Sequence, residues 1–247
     1  MKLEGKTAIV TGGGRDIGRA CAMALAAEGA SVAINYFASS AGAEDTVCEI
    51  QKHGGKAFAM QGDLNKPGDV DALVSRAVEQ FGSVDVLVNN TGGLVARQTI
   101  KEMSLEHWQT VMDLNLTSLF LMTRAVLQHM ETGTIVNLAS QAGRDGGGPG
   151  SVPYATSKGA VMTMTRGLAK ELGPNIRVNA LCPGMVDTDF HNIHTKPEVR
   201  KGFEASVPVR RQGVPNDVAN LVVFLATDDS AFMTGTNIDI NGGAVFS

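Results

Sequence analysis

Thr7-Ala8-Ile9-Val10-Thr11-Gly12-Gly13-Gly14-Arg15-Asp16-Ile17-Gly18 passes from a short apolar run, through glycines, into a helical pattern from Ile17 to Glu28 that Gly29 closes. A strand, a glycine turn and a helix stopped by Gly make one βα unit. The same order recurs down the chain. Ser31 to Asn35 reads as a second strand, and Ser39 or Ser40 can cap a helix that stops at Gly54-Gly55. Lys56 to Met60 and a helix from Pro67 to Phe81, ended by Gly82, form a third unit. Val84 to Asn89 leads into one long helix from Ser104 to Met130. Thr134 to Ala139 precedes a helix after Pro153 that Gly173-Pro174 stops. Ile176 to Leu181, the helix Asn216 to Ala226 and the strand Thr236 to Ile240 finish the chain. Strands this uniformly apolar are buried on both faces, and the intervening helices supply the covers. The expected fold class is α/β, a doubly wound parallel sheet of about seven strands with helices on both faces.

Of 247 residues, 29 are Gly, about 12% against roughly 7% in average proteins. Aromatics at 5% and only 8 Pro exclude a collagen-like or low-complexity chain. With 43% hydrophobic residues the chain can bury a sizeable core, and residues 1–247 are expected to form one domain. A net charge of −4 offers no basic face for nucleic acid or anionic lipid. No window approaches the ~20 apolar residues of a membrane span. Met1 to Lys6 lacks the apolar stretch of a signal peptide, and Cys21, Cys48 and Cys182 are scattered outside any CxxC spacing. A cytoplasmic protein with buried, reduced thiols is expected.

In doubly wound sheets, ligands bind beyond the carboxyl ends of the strands, so chemistry belongs in the loops there. The first such loop is glycine-rich and opens a helix, where backbone approach and free N–H groups suit a pyrophosphate. The GxGxxG pattern fails, because Gly12 and Gly14 would require Gly at 17, where Ile17 stands. Tyr154 and Lys158 lie four apart and share a helix face. Ser140 follows the fifth strand, and Asn115 lies in the long helix after the fourth.

The spacing of the first loop resembles the TGxxxGxG motif of the short-chain dehydrogenase/reductase family, with Thr11, Gly12 and Gly18 matching and Asp16 in the middle glycine position. Asn115, Ser140, Tyr154 and Lys158 match that family's four catalytic positions. Asp63-Leu64, Asn89-Asn90-Thr91-Gly92 (where Ala is usual at Thr91), Pro183-Gly184 and Asn241-Gly242-Gly243 extend the likeness over essentially the whole chain. The resemblance implies a Rossmann-type fold and a nicotinamide cofactor cradled by Gly12, Gly14, Arg15, Ile17, Gly18, Gly92, Pro183 and Gly184. It further implies adenine contacts from Asp63 and Leu64, a ribose contact from Asn90, and the nicotinamide ribose on Tyr154 and Lys158. Val186 and Thr188 would meet the nicotinamide amide, and a homotetramer is implied as well. After the second strand, Tyr36-Phe37-Ala38-Ser39 carries none of the carboxylates that usually bind the ribose of NAD. Arg15 and Ser39 can instead receive a 2′-phosphate, which favours NADP(H) over NAD(H).

The implied chemistry is carbonyl–alcohol interconversion by hydride transfer. A phenol has a pKa of about 10, and an adjacent ammonium together with the cofactor's positive charge lowers it, so Tyr154 is the expected general acid/base. Ser140 is expected to hydrogen-bond the substrate oxygen, and Asn115 to support a proton relay through Lys158. Asp16, a favoured capping residue, is expected to cap the first helix outside the phosphate shell while contacting Arg15. The segment 187–213 is long enough for a lid, and Gly143 to Gly150 for another pocket wall. Arg97, Arg144 and Asp145 are candidate substrate contacts. His191 and His194 lack further metal ligands nearby, so no metal is expected. The run Gln128 to Thr132 lacks the basic residues that would dock an acidic acyl carrier, which favours a small polar substrate such as a sugar, sugar acid or keto ester. The alternatives are a 3-oxoacyl-ACP reductase and a non-catalytic NADP(H)-binding sensor.

Overall fold

Along β1 (Thr7–Val10), Ala8 and Val10 point into one hydrophobic cluster and Ile9 into another on the opposite face, all fully buried. β2 (Ser31–Tyr36), β4 (Val86–Asn89) and β5 (Gly133–Leu138) repeat this alternation: Val32, Ile34, Val86, Val88 and Val136 face one layer, and Ala33, Leu87 and Ile135 the other. Burial on both faces is why these strands read as unbroken apolar runs. The computed structural model describes residues 1–246. With β3 (Ala57–Gln61), β6 (Ile176–Pro183) and β7 (Asn237–Ile240), the strands form one sheet of order β3-β2-β1-β4-β5-β6-β7, every pairing parallel.

α1 (Asp16–Ala27), α2 (Ser40–Lys52) and α10 (Pro215–Ala226) cover one face. α3 (Pro67–Phe81), α5 (Ser118–Val126) and α7 (Val152–Leu172) cover the other. Chain order reverses between β1 and β4, which puts the switch point, and the expected ligand crevice, between the loops after those two strands.

The expected helix from Ser104 to Met130 is not continuous. It divides into α4 (Leu105–Met112), a π turn over Asp113–Thr117 and α5, and the chain leaves the helix after Val126 to turn the buried Met130 into the core. Apolar periodicity does not register a one-residue π insertion, and such insertions concentrate at functional sites. Asn115 sits in this one. Cys21 and Cys182 are buried as expected, whereas Cys48 is exposed, off the α2 stripe of Ala43, Thr46 and Ile50. Among the described residues no helix is long and apolar enough to cross a membrane.

Candidate active site

The loop after β1 is bolted to the loop after β4. Thr11 Oγ1 accepts the backbone N–H groups of Asn90 and Thr91, each at 2.9 Å, and Asn90 Nδ2 donates to the carbonyls of Thr11 (2.9 Å) and Gly12 (3.3 Å). The Asn90 side-chain amide is thereby occupied in holding the glycine turn, and its backbone N–H is taken by Thr11 Oγ1, so none of its N–H groups is free. Gly12 has φ +63°, and a Cβ at Gly18 would stand 2.2 Å from the Gly12 carbonyl oxygen. Arg15 precedes α1 without any side-chain cap, so the first-turn N–H groups stay free. These features fit the pyrophosphate of a dinucleotide: a partly exposed Gly12, a turn packed tightly through the buried Gly14 and Gly18, and a helix start open to an anion.

Asp16 does not cap α1, contrary to expectation. It is the first helical residue, with φ +49°, and its Oδ1 accepts the backbone N–H of Asp189 at 3.3 Å. Arg15 Nη1 reaches Asp189 Oδ2 at 2.9 Å, while the Arg15 contact to Asp16 is a looser 3.9 Å. The residue in the motif's middle glycine position therefore ties the glycine turn to α8 (Asp189–His194). Burial pushes its carboxyl above the usual range.

Three further elements converge beside this turn. Ser140 lies between β5 and the short α6 (Ala142–Asp145), its Oγ accepting the Ala142 N–H at 3.1 Å, and stands beside the phenol of Tyr154 in the first turn of α7, whose proton affinity it lowers. One turn on, the buried Lys158 donates from Nζ to the Leu138 carbonyl at 2.6 Å and lies 5.8 Å from the Tyr154 ring centre. In the π turn, Asn115 is fixed by Nδ2 to the carbonyls of Gly93 (2.8 Å) and Val111 (2.7 Å), and by Oδ1 to the Gly93 N–H at 2.9 Å. No direct hydrogen bond joins Asn115 to Lys158 among the described residues. Both crowd Gly92, where a Cβ would stand 2.6 Å from Asn115 Oδ1 and 3.0 Å from Lys158 Nζ.

Burial pushes the Tyr154 phenol up, against the lowering effect of the neighbouring Ser140, and pushes the Lys158 ammonium down to about 8. Desolvation of the charged forms is the largest cause for both groups. The phenol thus holds its proton at neutral pH, the state that donates to a carbonyl. The ammonium, charged below its pKa, is lost as pH rises through about 8. We expect kcat/KM for the cofactor, which reports the free enzyme, to fall about tenfold per pH unit above that point. A steady-state pH profile checks this, and a flat profile to pH ~9.5 refutes it.

The segment after β6 returns on itself. Val186 bridges Gly213, with Asp187 N–H donating to the Gly213 carbonyl at 2.8 Å, so α8 and α9 (Pro197–Ser206) form a flap on a closed stem. Val186 and Thr188 are buried at its base, and Thr188 Oγ1 bonds the Val186 carbonyl at 3.1 Å. Phe190 lays its ring 5.6 Å from that of Tyr154 and contacts the rings of His191 and His194, each at 5.1 Å. Phe190 escaped sequence reasoning, since a lone Phe in a polar segment has no periodic signal. Among the described residues no group of three or more His, Cys, Asp or Glu is arranged to hold a metal.

Of the remaining expected contacts, Arg144 is spent on structure: its Nε meets Asp239 at 2.6 Å and its Nη2 the Asn237 carbonyl, which removes it as a substrate contact. Asp145 is likewise taken by Gln141 and Gly147. Leu64, expected to contact adenine, has its side chain buried in the core, whereas Asp63 stays partly exposed. Phe37 and Ala38 are exposed and Ser39 partly so. A Cβ on Gly14, the residue before Arg15, would lie 3.0 Å from the Ser39 carbonyl. Gly184 lies against Asn241, with Pro183 before it as the last residue of β6.

A parallel seven-stranded sheet with a glycine turn at its switch point and a Ser–Tyr–Lys cluster at neighbouring strand ends defines a doubly wound α/β oxidoreductase. A family model described as Enoyl-(Acyl carrier protein) reductase matches residues 12–245. The chain belongs to the short-chain dehydrogenase/reductase family. It is 41% identical to a 3-oxoacyl-[acyl-carrier-protein] reductase of Synechocystis, covering 98% of each chain. It is 37% identical to glucose 1-dehydrogenase 2 of Bacillus subtilis, covering 98% of this chain and 95% of the relative. A 7α-hydroxysteroid dehydrogenase complexed with NADH and 7-oxo glycochenodeoxycholic acid superposes with a TM-score of 0.94 at 34% identity, over 100% of this chain and 96% of that one. A Burkholderia cenocepacia short-chain dehydrogenase in complex with NADP gives 0.92 at 34% identity, over 99% of both.

Proposed function

We propose that the chain interconverts a carbonyl and an alcohol on a small polar substrate, with Tyr154 as general acid/base. The observation that carries this reading is the Tyr154 phenol placed beside Ser140, with the buried Lys158 Nζ 5.8 Å from its ring centre. In reduction, Tyr154 gives its proton to the carbonyl oxygen while Ser140 hydrogen-bonds that oxygen, holding it against the phenol. Lys158 binds and orients the cofactor's ribose, and Asn115, locked to Gly93, keeps the π turn open beside it. Gly12, Gly14, Arg15, Ile17, Gly18, Asn90 and Gly92 hold the phosphates and near ribose. Phe37, Ala38, Ser39, Asp63 and Leu64 frame the adenosine, and Pro183, Gly184, Val186 and Thr188 the nicotinamide. When bound, the nicotinamide cofactor supplies the hydride. Segment 187–213 acts as the lid, and the working assembly is a homotetramer.

The cofactor is NADP(H) in preference to NAD(H), because no carboxylate stands at the end of β2 and Gly14, the residue before the exposed Arg15, packs against Ser39. Arg15 is contested by Asp189 at 2.9 Å. NADPH should therefore exceed NADH in kcat/KM by about tenfold, Arg15→Ala should remove most of that margin, and Asp189→Asn, which frees the guanidinium, should widen it. A higher value for NADH overturns the preference. The overall reading is tested by following NADPH oxidation with a carbonyl panel that includes uronate-type oxo acids and acetoacetyl thioesters. Turnover confined to the thioesters selects acyl-carrier-protein chemistry, as the name of the Synechocystis relative suggests. Cofactor binding without turnover of any carbonyl selects a sensor.

A further inference from the structure

Arg97 lies on the loop after β4 at the junction of two pocket walls. Its Nε donates to the carbonyl of His194 in the lid at 3.2 Å, and its Nη1 to the carbonyl of Pro149 in the glycine-rich wall at 2.8 Å. The backbone is bent to bring it there. Val95 holds φ +64°, with Ala96 N–H closing a tight turn onto the Leu94 carbonyl at 2.8 Å, and Gln98 N–H then pins the loop to Gly150 at 3.1 Å. A left-handed β-branched residue is a strained outlier, and such strain persists at sites where the surroundings hold it.

The charge at this junction is unbalanced. Arg15, Arg144 and Arg200 are matched to Asp189, Asp239 and Asp187. Arg97 has no carboxylate partner among the described residues: it donates to two backbone carbonyls, and its Nη2 donates to nothing. Burial lowers both lid histidines, His191 to about 4, with Arg200 and then Arg97 adding to the first and Arg97 to the second. Those histidines are neutral at pH 7 and add no competing charge. Through His194 and Phe190 the junction is contiguous with the ring of Tyr154.

We propose that Arg97 anchors a carboxylate of the substrate, so that the enzyme acts on oxo acids and their hydroxy counterparts in preference to uncharged ketones and sugars. This rests on the carbonyl–alcohol reading above. A guanidinium presents paired N–H groups that match a carboxylate, and the bond is charge-assisted.

The test compares pyruvate, acetoacetate and levulinate with pyruvamide, acetoacetamide and levulinamide on the NADPH-loaded enzyme. At least one acid should exceed its amide in kcat/KM by roughly 10- to 100-fold. In Arg97→Gln that ratio should fall to within about twofold, and Arg97→Lys, which keeps the charge, should recover part of it. Calorimetry of the same pairs on the Tyr154→Phe enzyme with NADPH reads binding without turnover. Acid preference in binding that Arg97→Gln abolishes upholds the anchor even if no compound is reduced, an outcome that would count only against the reaction. No acid preference in the native chain, or a ratio that survives Arg97→Gln while both members weaken, makes Arg97 a staple between walls and overturns the proposal.

Discussion

Replacing Tyr154 with phenylalanine should lower kcat by ~10²–10⁴-fold and leave the Kd for NADPH within about threefold. The substitution removes one oxygen and little else. The ring keeps its place 5.6 Å from Phe190, and Ser140 keeps the bond its Oγ accepts from Ala142, so no buried group is orphaned. Folding stability should change by no more than about 1 kcal/mol, the net worth of one hydrogen bond. What disappears is the proton that burial holds on the phenol at neutral pH. A loss in kcat with unchanged cofactor affinity is the signature of an interaction made in the transition state. Absorbance of NADPH with any accepted carbonyl, and quenching of its fluorescence for affinity, separate the two quantities. Turnover within a few-fold of the native value would assign the proton to another group.

The parts legible in sequence were those set by short-range physics. α3 spans Pro67–Phe81 as its punctuation predicts, because Pro fits the first helical position and Gly82 takes φ +91° after the last. β1 runs Thr7–Val10 because Thr7 and the three apolar residues after it, ahead of a glycine turn, suffice for a strand buried on both faces. Ser140, Tyr154 and Lys158 converge as their spacing on a strand end and a helix requires. The errors have the opposite character. Asp16 accepts the Asp189 N–H across 173 positions and Arg144 pairs with Asp239 across 95, and contacts at such distance leave no local pattern. Capping propensity assigns Asp16 to its own helix, whereas its carboxylate holds the start of α8. Asn115 was placed correctly in sequence but in the wrong kind of helix, since a π turn changes hydrogen bonding without changing which residues are apolar.

Gly18→Ala should weaken NADP(H) binding about 10- to 100-fold and lower the melting temperature, although the same change in most helices is stabilising. The reversal follows from what the methyl would meet: the Gly12 carbonyl oxygen at 2.2 Å, the Asn90 Nδ2 at 2.6 Å and the Gly12 carbonyl carbon at 2.8 Å. Two of those atoms are backbone and cannot rotate aside. Gly12 must move, and with it the Asn90 bonds that join the loops after β1 and β4. Strain of this kind costs about 1–3 kcal/mol, or ~2–12 °C for a chain of this length. Gly68, in the first turn of α3 with nothing within 4 Å of an added Cβ, supplies the control. Gly68→Ala should leave cofactor affinity unchanged and hold or raise the melting temperature. If Gly18→Ala keeps native affinity despite a lowered melting temperature, the dinucleotide does not lie on this turn. If it keeps both, the Gly12 carbonyl yields at no cost and the close packing of α1 against the glycine turn is not what orders it.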